Sequence, residues 1–130
     1  MVLSKARCVE LVVVTLATYS YALEKAWGLR DALEKAGLCD PSQVLGMGET
    51  GLGNALKAAG YDRGGITYII APRLLALMDA IQEGKLDALE VHLKQRNEGD
   101  FRKILEGVKG FGPTASKLAW ALMLPVEAKR

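Results

Sequence analysis

Few side chains in this sequence announce a chemistry by themselves. Cysteine is limited to Cys8 and Cys39 and histidine to His92. Neither cysteine stands beside a second Cys or His at ligand spacing, so neither zinc nor an iron–sulfur cluster is supported and no metal or cofactor is expected. The two thiols read instead as small buried side chains. His92 has no evident catalytic partner and reads as a surface or boundary residue. Charge of one sign is also lacking, because 17 Lys and Arg stand against 15 Asp and Glu for a net charge of +2. That balance allows nucleic acid as a partner without demanding it. The longest apolar run, residues 11–17, is interrupted by Thr15 and is too short for a bilayer, so no membrane partner is expected. The N-terminal apolar region has no small-residue cleavage site, and the chain is read as cytoplasmic.

Apolar residues at helical spacing are abundant, and they predict an all-α chain of about seven or eight short helices in one domain spanning residues 1–130. Ser4 is placed to cap a first helix running to about Thr18, apolar nearly all round, as a central helix would be. Its many β-branched residues would also suit a strand. Ser20 is expected to cap a second helix that Gly37 closes. Asp40 followed by Pro41 opens a short third helix, with Gly46 and Gly48 ending it and Thr50 capping the next. A long helix over residues 66–82 carries Pro72 inside its apolar pattern. A further helix covers residues 86–95, and Asp100 is placed to cap the helix after it.

Most informative is the stretch from Ile104 to Trp120. A short amphipathic segment runs into Gly110-Phe111-Gly112, and a second begins at once, with Ala115, Leu118, Ala119 and Leu122 at helical spacing. Both glycines are expected to take positive backbone torsions, with Phe111 turned inward between them. Pro113 suits the first position of the following helix. The outcome would be a helix N-terminus whose amides open onto a loop bare of side chains, able to hold a phosphate oxygen. Lys109 and Lys117 flank the loop to supply charge, and Thr114 and Ser116 supply hydroxyls.

Val108, Gly110, Phe111, Gly112 and Ser116 resemble the frame of the helix-hairpin-helix motif. The order of elements before it resembles the helical core of the helix-hairpin-helix base-excision DNA glycosylases, the endonuclease-III-like superfamily. The likeness runs over residues 7–124 and includes Gly60-Tyr61-Asp62-Arg63 ahead of the long helix. It implies a compact glycosylase-like bundle of helices, DNA as the partner through backbone contacts of low sequence specificity, and a base-excision repair setting. At the position where that family places a segment touching DNA beside an extruded base, this chain has residues 17–21, and the resemblance makes Tyr19 the base-side contact.

The chain departs from the family where the chemistry should be. The lysine that forms a Schiff base in bifunctional members is replaced by Thr114, which cannot do amine chemistry. The catalytic aspartate expected past Ser116 does not occur before Arg130. Asp100, Glu106 and Glu127 are the nearby carboxylates, and each is better explained as a cap, a solvated face or a polar tail. No catalytic residue is therefore assigned. The expectation is a DNA-binding module without glycosylase activity of its own. Two alternatives stand beside it: an active glycosylase with a nonstandard or missing acid, and a structural or interaction domain that has lost DNA. The end of the chain would leave part of the helical core uncovered, which allows a second copy or another subunit as a partner.

Overall fold

A computed structural model of the chain describes residues 3–124. Among these residues all regular structure is α-helical. The elements are α1 (Lys5–Ala17), α2 (Leu23–Gly28), α3 (Arg30–Lys35), α4 (Pro41–Ala58), α5 (Gly65–Gln82), α6 (Leu89–Lys94), α7 (Glu98–Glu106) and α8 (Pro113–Met123). No helix among the described residues is long and apolar enough to cross a membrane.

The first helix is the axis of the fold. Leu11, Val12, Val13, Val14 and Leu16 are each 0% exposed, and α2, α3, α5 and α8 all pack against α1. Burial decides its conformation. A β-branched residue loses a few tenths of a kcal/mol in a helix, while full burial of a Val or Leu side chain contributes roughly 1.5–3 kcal/mol. A lone buried strand would also leave its amides unpaired, whereas a helix pairs them internally. The strand reading of this segment is therefore excluded. At its start Ser4 accepts a hydrogen bond from the Arg7 amide, as its position before the helix implies.

Several boundaries differ from expectation for local reasons. Ser20 does not cap the second helix: it takes a left-handed φ of 51°, and Ala22, without a side-chain acceptor, holds the N-cap position. The single helix expected up to Gly37 is two helices that meet at Leu29, where the amide pairs with the Ala26 carbonyl at 3.1 Å in a tightened turn. Gly28 beside the junction is the weak helix former that lets it break. Asp40 and Pro41 start α4 as expected, with the Asp40 carboxylate accepting from the Ser42 amide at 3.0 Å. Gly48, at φ 73° and ψ 171°, is non-helical and divides α4 at a kink into two helical segments, as expected of a glycine that ends the short helix opened by Asp40.

Pro72 is accommodated within an unbroken α5, which packs extensively on α4. The helix expected over 86–95 shrinks to α6, after turns that follow Gly84. Asp100 is not the cap of α7. Asn97 is, its side chain accepting from the Asp100 amide at 3.2 Å and donating to the Asp100 carboxylate at 2.8 Å. Beyond α7 the chain crosses six residues, 107–112, before α8 begins, and α7 and α8 pack together.

Two features set the surroundings of that connection. Tyr61 is 0% exposed, and its hydroxyl donates to the Leu16 carbonyl at 2.8 Å, fixing the loop before α5 against the end of α1. Arg63 then donates to the Tyr19 and Ser20 carbonyls and lies 5.0 Å over the Tyr21 ring. The turn that follows α1 is thus held by two side chains of the loop before α5.

Candidate functional site

The connection between α7 and α8 forms one wall of a cleft of about 190 Å³. Gly110, Gly112 and Thr114 line it together with Ala17 and Thr18 at the end of α1 and Arg73 of α5. Gly110 has a φ of 93°, and a β-carbon there would sit 2.8 Å from Cγ and 2.9 Å from Cδ of Arg73. Its glycine is therefore required twice, once for the torsion and once because the loop lies flat against the arginine stem. Phe111 is turned inward at 4% exposure, as its place between the glycines implies. Gly112 differs from expectation: its φ of −95° and ψ of −169° are extended backbone open to any residue. A β-carbon added to Gly112 would meet nothing within 4 Å. The fold does not need glycine at 112, which leaves the backbone there bare.

α8 begins at Pro113, which has no amide to donate, and the first intrahelical partnership runs from the Ser116 amide to the Gly112 carbonyl at 3.0 Å. No acceptor among the described residues takes the amides of Gly112, Thr114 or Ala115. These are the unsatisfied N–H groups of a helix start, carrying its partial positive charge. Thr114 is exposed.

Arg73 supplies the full charge. Its guanidinium donates to Thr18 Oγ1 at 3.4 Å and lies 5.8 Å over the Tyr19 ring. No ion pair is found for Arg73 among the described residues, although Arg7 and Arg102 are both paired with carboxylates. No carboxylate lines the cleft. Its electrostatics are those of one delocalised cation, a helix N-terminus and two hydroxyls, which is an arrangement for an oxyanion.

The residues expected at this site are only partly brought together. Gly110, Gly112 and Thr114 line the cleft, and Tyr19, 40% exposed, stands at its rim through its contact with Arg73. Ser116 is a correction. It is 0% exposed, and its hydroxyl donates to the Glu106 carboxylate at 2.6 Å while accepting from Arg102 Nε at 3.1 Å. It clamps α7 to α8 from inside and cannot reach a ligand. Lys109 lines a separate hollow with Asp79 and Lys85, and Lys117 is exposed but does not line the cleft. Both lysines can add only to the wider field. Among the candidate acids, Glu106 is engaged by Ser116 and lies 3.7 Å from Arg102, and Asp100 is bonded to Asn97. Glu127 lies outside the described residues.

Arg73 and Thr18 did not stand out in the sequence. One signal was available: Arg73 is a lone cation in an apolar stretch, with Ile69, Ile70, Ala76 and Leu77 at the positions where a helical ion-pair partner would sit. Such a charge must either reach solvent or find a partner elsewhere. Comparison with models of protein families, with curated proteins and with solved structures finds no match for the chain.

Proposed function

We propose that this chain binds DNA through its backbone, seating one phosphate group in the cleft between Arg73 and the start of α8, and that it does not release bases by itself. In this reading the segment from α7 to α8 is a helix-hairpin-helix motif of the kind carried by base-excision DNA glycosylases, set in a glycosylase-like bundle. The supporting observation is the convergence of an arginine that no carboxylate neutralises with unpaired amides beside a glycine the fold does not require. Gly112 leaves room for close approach of a backbone oxygen, the Gly112 and Thr114 amides donate, and the guanidinium neutralises. Lys109 and Lys117 raise the encounter rate through their longer-range field, which salt screens. Tyr19, with Arg73 against its ring and Arg63 donating to its carbonyl, is the base-side contact, its ring offering a stacking face.

Fluorescence anisotropy with single-stranded, duplex and mismatched oligonucleotides at two salt concentrations tests this reading. Binding is expected to weaken as salt rises. Gly112→Asp is the most informative variant, since it adds a carboxylate where there is open space and an ordinary φ, so the fold is kept while the cleft changes sign. It is expected to weaken binding by about tenfold or more, the worth of one charge-assisted contact. No binding at low salt, or unchanged binding by Gly112→Asp, would overturn the proposal. Base release from lesion-bearing duplexes is expected to be absent, and robust turnover would establish the active-glycosylase alternative instead.

A further inference from the structure

A second cavity, of about 310 Å³, lies at the other end of α1. Cys8, in the second turn of α1, and Cys39, in the connector between α3 and α4, both line it. The two thiols are otherwise shut away, at 1% and 5% exposure. Both are free, and no group of three or more His, Cys, Asp or Glu among the described residues could hold a metal there. The rim is polar: Lys5 is 80% exposed and pairs with Glu34 at 3.7 Å, and Asp40 lines the wall. Two thiols distant in sequence thus open onto one space large enough for a small polar molecule to enter.

We propose that Cys8 and Cys39 are a redox pair, joined into an intramolecular disulfide by a peroxide that enters through this cavity. The product is neutral and has no hydrogen-bonding demand, so a desolvated site accommodates it. The order of attack follows from the surroundings. Burial, then the charge of Asp40, pushes the Cys8 thiol up from its usual value. Burial, the Glu34 carboxylate and Cys8 itself push Cys39 further, to about 12, with Lys5 opposing. Cys8 ionises more readily and is the first nucleophile. Its thiolate attacks one peroxide oxygen, the O–O bond breaks, and hydroxide leaves, giving a sulfenic acid. The Cys39 sulfur then attacks that sulfur, the S–O bond breaks, and water departs with the Cys39 proton. Two thiols lose two electrons, and the peroxide is reduced to two molecules of water.

The bond would tie α1 to the connector before α4. Roughly 14 Å of helix rise separates Cys8 from Ala17 at the phosphate cleft, so oxidation should leave DNA affinity unchanged. Loss of DNA binding and loss of the disulfide are therefore separable outcomes. Hydrogen peroxide is titrated into the full chain, and thiols are counted after denaturation. The count is expected to fall from two to zero, with a Cys8–Cys39 linked peptide in a nonreducing digest and recovery by dithiothreitol. Thiols that persist, sulfinic acids without a cross-link, or bonds between two chains would each overturn the pairing. In Cys39→Ser, dimedone is expected to trap a sulfenic acid on Cys8. In Cys8→Ser, Cys39 is expected to react more slowly than Cys8 does in Cys39→Ser, in line with its smaller thiolate fraction. A faster Cys39 would overturn the order of attack.

Discussion

Arg7, in the first turn of α1, and Arg73 of α5, against the other end of α1, have opposite fates. Arg7 Nε donates to Glu90 at 2.8 Å, and its Nη1 donates to both Glu10 and the Met123 carbonyl at 2.9 Å. One guanidinium thereby joins α1, α6 and the last turn of α8. The two glutamates, outweighing the burial that opposes them, hold Arg7 above the usual arginine range. Arg73 touches one hydroxyl and one ring. A guanidinium has five donors, so the first arginine is occupied with holding helices together while the second has most of its capacity left. The contrast separates a structural cation from an available one on geometry alone.

Substitution of each arginine should break the comparison in a different observable. Arg7→Ala is expected to cost the fold about 2–3 kcal/mol in chemical denaturation, because Glu10 and Glu90 lose their shared partner while partly shielded from water. It should leave DNA affinity intact once unfolded protein is accounted for. Arg73→Ala is expected to lower DNA affinity by about 10-fold or more and the salt slope by about one, with a stability loss of no more than about 1 kcal/mol from the stem packed on Gly110. If Arg73→Ala unfolds the chain and Arg7→Ala only weakens binding, the distinction is wrong.

The two glycines of the loop sharpen the same contrast at smaller amplitude. Gly110→Ala meets a left-handed φ and the Arg73 stem together, and about 1–2 kcal/mol of stability should be lost. Gly112→Ala should cost less than about 0.5 kcal/mol, since its torsions suit alanine and its surroundings are open. Equal losses at the two positions would show that Gly112 is held by the fold after all.

The smallest effect is confined to alkaline solution. Cys39 has its ordinary value of 9.0 when unfolded and is pushed up to about 12 in the fold, and Tyr61 is also raised from 10.0, chiefly by burial. Folded-state values above the unfolded ones mean that the folded chain retains protons the unfolded chain has lost. Stability from these groups is therefore complete below about pH 9 and falls as pH rises through the folded values. Denaturation midpoints between pH 7 and 11 should be level and then decline, and Cys39→Ala should flatten the decline by about one proton.

The helices were legible because their determinants are local. Ser4 and Asp40 cap α1 and α4 through amides two or three residues away, which is within the reach of sequence spacing. Gly37, Gly60 and Gly84 end segments in left-handed torsions for the same reason. At the start of α7 sequence spacing points to Asp100 as the cap, whereas the Asn97 side chain accepts from the Asp100 amide and holds that role, because the turn begins three residues earlier. Ser116 was misread because a hydroxyl three residues past a helix start looks the same whether it points to solvent or to Glu106.

Composition and periodicity by themselves determined a chain dominated by helices and a bare, glycine-bounded connection before α8, since capping, helical spacing and backbone torsion act over a few residues; that the β-branched first segment is a helix and not a strand was decided by its burial. Only the tertiary structure decided which groups meet. It set Arg73 against Gly110, placed Ser116 in a clamp rather than a binding face, and turned Cys8 and Cys39 toward one cavity. Two of those pairings lie 31 or more positions apart in the chain, and the third depends on which side of a helix faces its neighbour. They are fixed by the packing of α1 against its surrounding helices, which no local pattern encodes.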